Sequence, residues 1–126
     1  MREMLRDERG FTLIELVMII VILGVLAAVA IPTYVNLSGT ANRAAVDGVA
    51  GGMGSAMAVN YAARSINVAN GVAITNCTSV GGAMAGGVPT GYTITALAIA
   101  AGATATCTVT HDTNLLTATF PGIGIL

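Results

Sequence analysis

The chain has 126 residues, of which 55% are hydrophobic, 9% charged and 4% aromatic, and its formal net charge is −1. This is about one domain in length, and the scarcity of large side chains argues against a compact enzyme built around a deep aromatic pocket. The charge balance offers no basic surface, so we expect no nucleic-acid partner.

The first predicted element is an apolar helix. Residues 16–31 contain no polar side chain, and the run extends back to Phe11 with few interruptions. As a helix it is about 31 Å long, about the thickness of a bilayer core. Three arginines precede it and the next cation is Arg43. We therefore expect the N-terminus in the cytoplasm and the chain beyond Pro32 on the outer side.

Two simple interpretations of this segment compete. Residues 28–30 match the small-residue pattern that precedes signal-peptide cleavage, which would release a secreted binding domain after Ala30. A plain membrane anchor is the other. Neither explains Glu15, because an ionisable side chain inside a spanning segment is costly and indicates a functional partner. A glutamate that extends to the lipid head groups is the alternative to such a partner.

Glu15 ends the motif Gly10-Phe11-Thr12-Leu13-Ile14-Glu15, and the long apolar helix follows it. This motif resembles the prepilin signature of type IV pilins and of the pseudopilins of type II secretion. The resemblance implies that a prepilin peptidase, also an N-methyltransferase, cleaves between Gly10 and Phe11 and methylates the new amine of Phe11. Residues 1–10 are then a cleaved cytoplasmic leader, whose three acidic residues depart from the usual pattern.

Cleavage creates an α-amine that is positively charged at neutral pH, one helical turn from Glu15. The carboxylate can pair with its own amine or with that of a neighbouring copy. An ion pair is strong in apolar surroundings, so we expect Glu15 to set the register of assembly. The resemblance likewise assigns the matching glutamate to pairing with the Phe11 amine of an adjacent subunit.

Two further features concern packing of the apolar helix. Small residues allow helices to approach closely; they are Gly24, Ala27, Ala28 and Ala30. Pro32 lacks an N–H donor and is expected to kink or locally open the helix. Pilins resemble one another in carrying a proline near this point.

Beyond Pro32, apolar residues recur every three or four positions, which predicts an amphipathic helix to about residue 64. The predicted stripe consists of Val46, Val49, Met53, Met57 and Tyr61. Several glycines weaken this helix, so it needs a packing partner. Arg43 and Asp47 lie one turn apart and can form an ion pair, to which we assign no function.

The C-terminal part changes to a period of two. Threonines alternate with apolar residues over 103–110, which predicts a strand with a hydroxyl face and an apolar face. Residues 92–97 and 115–120 are its predicted partner strands, with turns at 70–71, 100–102 and 112–114. We therefore expect an α+β fold with one long N-terminal helix packed on a small antiparallel sheet, an arrangement that the resemblance implies is pilin-like. Residues 11–32 form the transmembrane and assembly helix, and residues 33–126 form the extracytoplasmic head.

Cys77 and Cys107 both lie on the side of the membrane where disulfides persist. A disulfide would stabilise this small head by about 3 kcal/mol, and free buried thiols are the alternative. Two cysteines in this half of the chain resemble type IV pilins more than major pseudopilins.

No group of residues indicates catalysis, a cofactor or a metal site. His111 is the single histidine, and Asp112 beside it is predicted to be a turn residue. After Asp47, Asp112 is the only acidic residue, which leaves too few ligands for the calcium site that major pseudopilins usually carry. The sequons at Asn36 and Asn76 are interpreted as chance matches.

The resemblance thus predicts a structural subunit of a type IV pilus-like surface filament, a helical homopolymer used in adhesion, motility or attachment. Residues 34–43 are most similar to mannose-sensitive-haemagglutinin-type pilins. The predicted partners are further copies of the chain, the peptidase, the inner-membrane assembly machinery, and lipid before assembly. The expected location is the bacterial inner membrane and then the cell surface. The alternatives are a periplasmic pseudopilin that drives protein export and the secreted binding domain.

Overall fold

The computed structural model describes residues 10–126, apart from the side chain of Val35. Residues 1–9, which belong to the predicted leader of residues 1–10, lie outside the described part. The elements, in order, are α1 (Leu13–Ile66), a 3₁₀ turn (Cys77–Ser79), α2 (Val80–Ala83), β1 (Tyr92–Ile94), β2 (Thr104–His111) and β3 (Thr117–Ile123). The predicted α+β class is confirmed. Contacts divide the chain into two units, Met1–Gly39 and Thr40–Leu126.

In the first unit, α1 is apolar and uncovered. Its most hydrophobic 18-residue window has a mean hydropathy of 3.0, and none of that window is buried. By length and composition the helix can cross a membrane.

In the second unit, one face of α1 forms part of the core. Val46, Met53 and Met57 are fully buried, so the predicted stripe is confirmed at these positions. The stripe does not end at Tyr61, which is 39% exposed, but at Asn60, which is 5% exposed. Asn60 lies three residues after Met57 on the same face of the helix. It is buried because its side chain binds a chain segment that lies over the end of the helix.

That segment is held by paired hydrogen bonds to the Asn60 side chain. Asn60 Nδ2 donates to the carbonyl of Val72 at 2.9 Å, and Asn60 Oδ1 accepts from the amide of Val72 at 2.8 Å. Gly71 beside it has a φ of 74°, and a Cβ at this position would lie 2.3 Å from Asn60 Oδ1. The turn predicted at residues 70–71 therefore requires glycine for both conformation and space.

The sheet has the order β1-β2-β3, with both pairs antiparallel. In β2, Cys107 and Val109 are buried while the intervening threonines are half-buried or exposed, as the alternation predicts. Ala118 and Phe120 of β3 continue the buried face. The core cluster contains Val46, Ala50, Met53, Met57, Ile74, Cys77, Val80, Ile99, Cys107, Val109, Ala118 and Phe120.

Both flanking strands differ from their predicted bounds. β1 ends at Ile94 because the chain turns away to bind Asn76, whose Oδ1 accepts from the amide of Leu97 at 3.2 Å. β3 begins two residues late because Leu115 adopts a φ of 57° in the turn that precedes it. β3 also continues through Pro121, which is tolerated because β3 is an edge strand.

Candidate assembly site

α1 begins with reciprocal hydrogen bonds between Thr12 and Glu15. The amide of Thr12 donates to Glu15 Oε2 at 3.3 Å, and the amide of Glu15 donates to Thr12 Oγ1 at 3.3 Å. This pairing is a capping box, which satisfies two amides at the helix start that have no partner within the helix. It also places a negative charge near the positive end of the helix dipole. The spacing of Thr12 and Glu15 indicates this role, which the sequence analysis missed.

The proposed cleavage site lies just before this cap. Gly10 and Phe11 are exposed and precede the helix. A Cβ on Gly10 would meet no atom within 4 Å, so packing within the described chain does not explain the glycine. A requirement for an extended backbone in a protease cleft would explain it. Cleavage after Gly10 stays a prediction.

Phe11 and Glu15 lie at the same end of the helix. Together with Gly10 and Thr12 they line an open depression. In the uncleaved chain the nitrogen of Phe11 belongs to a peptide bond, and the Glu15 carboxylate accepts its hydrogen bond from Thr12. The ion pair with a free amine therefore stays a prediction for the cleaved protein.

The large apolar side chains that follow have no cover in the isolated chain. From Leu13 to Ile31 their exposed fractions range from 41% at Ile19 to 80% at Leu13. A continuous apolar surface of this kind indicates lipid or other copies of the chain as its environment. Glu15 is the single charged residue of this segment.

Pro32 lies inside α1 and the helix continues through it without interruption. The hydroxyl of Thr33 donates to the carbonyl of Val29 at 3.1 Å, one turn back. Proline has no N–H to donate to the carbonyl four residues earlier, so the backbone ladder lacks one bond here. The kink itself stays a prediction.

Cys77 and Cys107 form a disulfide, with their Cα atoms 5.6 Å apart. Both residues are buried, and the bond joins the 3₁₀ turn to the central strand β2. Asn76 supports this junction, because its Oδ1 accepts from both the amide and the hydroxyl of Thr78 at 3.1 Å. The sequon at Asn76 thus coincides with a residue that has a structural role.

His111 and Asp112 both stabilise the β2–β3 turn. His111 Nδ1 accepts from the amides of Thr113 and Asn114 at 3.3 Å, and its ring packs edge-on against Tyr92. Asp112 accepts a 2.6 Å hydrogen bond from the hydroxyl of Thr93. Among residues 10–126, no three His, Cys, Asp or Glu side chains cluster as metal ligands would.

Comparison with protein families identifies the N-terminal segment. Residues 5–31 match the family described as the prokaryotic N-terminal methylation motif. The match includes Gly10, Phe11 and Glu15, and it extends through the apolar helix to Ile31.

Two relatives are pilus or fimbrial proteins. The type IV narrow pilus major component PilA5 of Thermus thermophilus is 51% identical over 51 residues, 40% of this chain and 44% of the relative. The fimbrial protein EcpC of Eikenella corrodens is 36% identical over 72 residues, 54% of this chain and 47% of the relative. The chain thus spans less than half the length of each relative. Similarity to the mannose-sensitive-haemagglutinin type stays a prediction.

No solved structure matches the chain. The similarity to pilins therefore depends on the sequence matches and on a pilin-like arrangement of elements, one long N-terminal helix and a small antiparallel sheet. This chain carries the N-terminal methylation motif on a pilin-like α+β fold and is similar in sequence to type IV pilus and fimbrial proteins.

Proposed function

We propose that residues 11–126 are the mature structural subunit of a type IV pilus-like surface filament. The protein acts by assembling with copies of itself and not as an enzyme. The observation that carries the proposal is the match of residues 5–31 to the N-terminal methylation motif. The two relatives, a pilus component and a fimbrial protein, favour a pilus.

The apolar part of α1 supports this proposal because its side chains lack cover within the chain. In the precursor, lipid supplies that cover. In the filament, the helices of other copies supply it. The exchange of one apolar environment for another contributes little net hydrophobic free energy and little specificity of register. Polar interactions must therefore decide how the helices align.

Glu15 is the polar group that can decide how the helices align. The capping box with Thr12 holds its carboxylate at the start of the helix, beside Phe11. After cleavage and methylation, the amine of Phe11 in an adjacent subunit is a charged donor of the right sign. An incoming subunit binds at the one axial offset that brings these two groups together. The apolar side chains and the small residues of the helix then pack around the ion pair.

The proposal also names the processing steps. A prepilin peptidase and N-methyltransferase cleaves after Gly10 on the cytoplasmic side and methylates Phe11. Inner-membrane machinery then extracts the subunit from the bilayer into a filament at the cell surface. N-terminal sequencing of the mature protein tests this order directly. Methylated Phe11 is the expected first residue, whereas Ile31 would identify a secreted domain released after Ala30.

The role of Glu15 is tested with two substitutions that separate charge from helix capping. Glu15→Ala removes both the charge and the side-chain cap. Glu15→Gln removes the charge only, since glutamine also forms a capping box. We expect both variants to insert into the membrane and to be cleaved, and both to yield far fewer filaments than wild type in sheared fractions and electron micrographs.

Asp47→Asn is the matched control, because Asp47 is an exposed acid on the same helix that lies outside the apolar run. Its filament yield should stay near that of wild type. Normal yield from Glu15→Gln would show that capping suffices and would contradict the ion-pair mechanism. Normal yield from both Glu15 variants would refute any assembly role for this residue.

The second candidate is a pseudopilin of a type II secretion system, favoured by the same N-terminal motif. It would build a short periplasmic fibre that drives export. Imaging of surface filaments in wild-type and deletion strains separates the two. Loss of a surface fibre with normal export supports the pilus, and loss of export without any surface fibre supports the pseudopilin.

A further inference from the structure

The outer face of the sheet is covered with threonine side chains from all three strands. We define the threonine face as Thr93, Thr95, Thr104, Thr106, Thr108, Thr110, Thr117 and Thr119. The register aligns Thr93, Thr110 and Thr117 in one row across the sheet. A second row contains Thr95, Thr108 and Thr119, since the amide of Thr95 donates to the carbonyl of Thr108 at 3.0 Å.

This face lies opposite the core. The alternate residues of β2 and β3, among them Cys107 and Phe120, are buried against the rest of the second unit. The threonines of the flanking strands are exposed, and Thr108 and Thr110 of the central strand are half-buried. From strand spacing and rise, the face measures about 14 Å by about 20 Å, or roughly 300 Å².

No member of the threonine face is charged. Between Thr40 and Leu126 the charged residues are two arginines and two aspartates, so their side-chain charges cancel. Arg43 and Asp47 neutralise each other in an ion pair of 2.7 Å, and Arg64 donates to the backbone carbonyl of Val68. Two charged residues reach the edges of the face: Asp112 accepts a hydrogen bond from the hydroxyl of Thr93, and Arg43 donates to the backbone carbonyl of Thr117.

A hydroxyl group both donates and accepts hydrogen bonds, so an array of hydroxyls can pair with a copy of itself. A face of lysines or of glutamates would repel its copy, whereas this one does not. The methyl groups add apolar contact. The occupant that the chemistry favours is therefore a second threonine face, in an isologous contact between two copies.

We propose that the threonine face is a lateral contact surface through which neighbouring filaments of this protein associate into bundles. The inference depends on the proposed function, because one face is too small to hold two single copies together. A stable interface needs about 800 Å² from each partner. A filament repeats the face in every subunit, so many weak contacts act together. Single subunits should stay apart while filaments bundle.

The test compares wild-type filaments with the double variant Thr106→Lys and Thr119→Lys. Both residues are exposed, and lysine on two strands of the face places like charges opposite each other. Bundling is measured by low-speed sedimentation and by electron microscopy of sheared filaments. We expect roughly tenfold less bundled material in the variant, since the repulsion repeats in every subunit. High salt should restore bundling, because it screens exposed charges.

The matched control is Thr90→Lys and Thr113→Lys, which adds the same charge at two exposed loop threonines outside the face. It should bundle nearly as wild type does. Equal loss in both double variants would show an effect of net charge alone and would overturn the inference. If the double variant yields no filaments, Thr119→Lys alone provides the comparison.

Wild-type filaments that stay single at every salt concentration would overturn the inference and leave the proposed function intact. Absence of any wild-type filament would instead refute the proposed function and the inference with it. Detergent-solubilised mature subunits that dimerise through the face would contradict the size argument.

Discussion

Leu115 has a left-handed backbone conformation at the end of the β2–β3 turn. Among residues 10–126 it is the only residue other than glycine with a positive φ, at 57°. Its amide donates to the carbonyl of His111 at 2.9 Å, which closes the turn. The side chain is 72% exposed, so burial does not compensate for the conformation. A bulky residue such as leucine is strained in this backbone region relative to asparagine or glycine.

The first prediction is that Leu115→Asn stabilises the protein. Asparagine tolerates the left-handed region and keeps the amide that closes the turn. We expect the free energy of unfolding of the mature chain to rise by about 0.5–1 kcal/mol. Denaturant unfolding in detergent, followed by circular dichroism, measures it.

Leu116→Asn is the control for this prediction. Leu116 is half-buried and packs against the core cluster, so a polar side chain there should destabilise the fold by about 1–3 kcal/mol. A loss of stability in Leu115→Asn comparable to that of Leu116→Asn would mean that Leu115 makes contacts that its exposure does not indicate.

At the scale of residues, the sequence predicts local roles better than long-range ones. The spacing of Thr12 and Glu15 is enough to predict a capping box. The resemblance to the prepilin motif led instead to an interpretation based on the charge of Glu15 alone. The pairing of Asn60 with Val72 has no local signature, since it depends on where the chain returns after α1. Asn60 also continues the buried face of a helix where the apolar pattern indicated Tyr61.

At the scale of elements, the part of α1 that packs on the core carries four glycines: Gly48, Gly51, Gly52 and Gly54. A Cβ at the first three would meet no atom within 4 Å, so neighbouring elements do not require glycine there. At Gly54 a Cβ would lie 3.1 Å from Pro121 Cδ of β3. Gly54 is thus the glycine that lets the sheet edge approach the helix.

The second prediction concerns this difference. Gly51→Ala should stabilise the helix by up to about 1 kcal/mol, because alanine has the higher helix propensity. Gly54→Ala gains the same propensity but must displace Pro121, so its melting temperature should fall below that of wild type. Thermal unfolding of the two variants side by side measures the effect. Equal melting temperatures would show that the contact with Pro121 adjusts without cost.

The hydrogen bond between α1 and the edge strand β3 is a contact that sequence patterns do not predict. Arg43 pairs with Asp47, as its spacing predicts, but Nη1 of Arg43 also donates to the carbonyl of Thr117 at 2.6 Å. This bond satisfies one backbone carbonyl of the edge strand β3, which makes that carbonyl less available to pair with another strand. The alternation of β2 predicts its two faces, but the alignment of threonines across three strands depends on register, which no single strand determines.

At the scale of the whole molecule, the two units differ in how their apolar residues are covered. Under the proposed function the apolar segment of α1 depends on lipid or on other subunits, whereas the second unit covers its core with its own elements. The composition predicts the first dependence, because the run from Leu16 to Ile31 is uninterrupted. It also predicts the need for a crosslink in the second unit, because a small head in which most side chains are small buries little apolar surface per residue.

The third prediction is that the Cys77–Cys107 disulfide supplies a large share of that stability. The bond closes a loop with a sequence separation of 30 residues and joins the 3₁₀ turn to β2 within the core. Restriction of the unfolded chain by a loop of this size is worth about 3 kcal/mol. Reduction of the mature protein should therefore lower its free energy of unfolding by about that amount, measured by denaturant titration with and without reductant.

The double variant Cys77→Ala and Cys107→Ala is the control, because it lacks the crosslink and leaves no buried thiols to titrate. It should be as unstable as the reduced protein, and reductant should not change it further. Cys107 packs against a small neighbour, because a Cβ on Gly122 would lie 2.6 Å from Cys107 Sγ. The smaller alanine side chains avoid strain there. Any loss of stability in this variant is therefore due to the missing crosslink and to a small cavity. A wild-type unfolding curve unchanged by reductant would show that the core alone holds the head together.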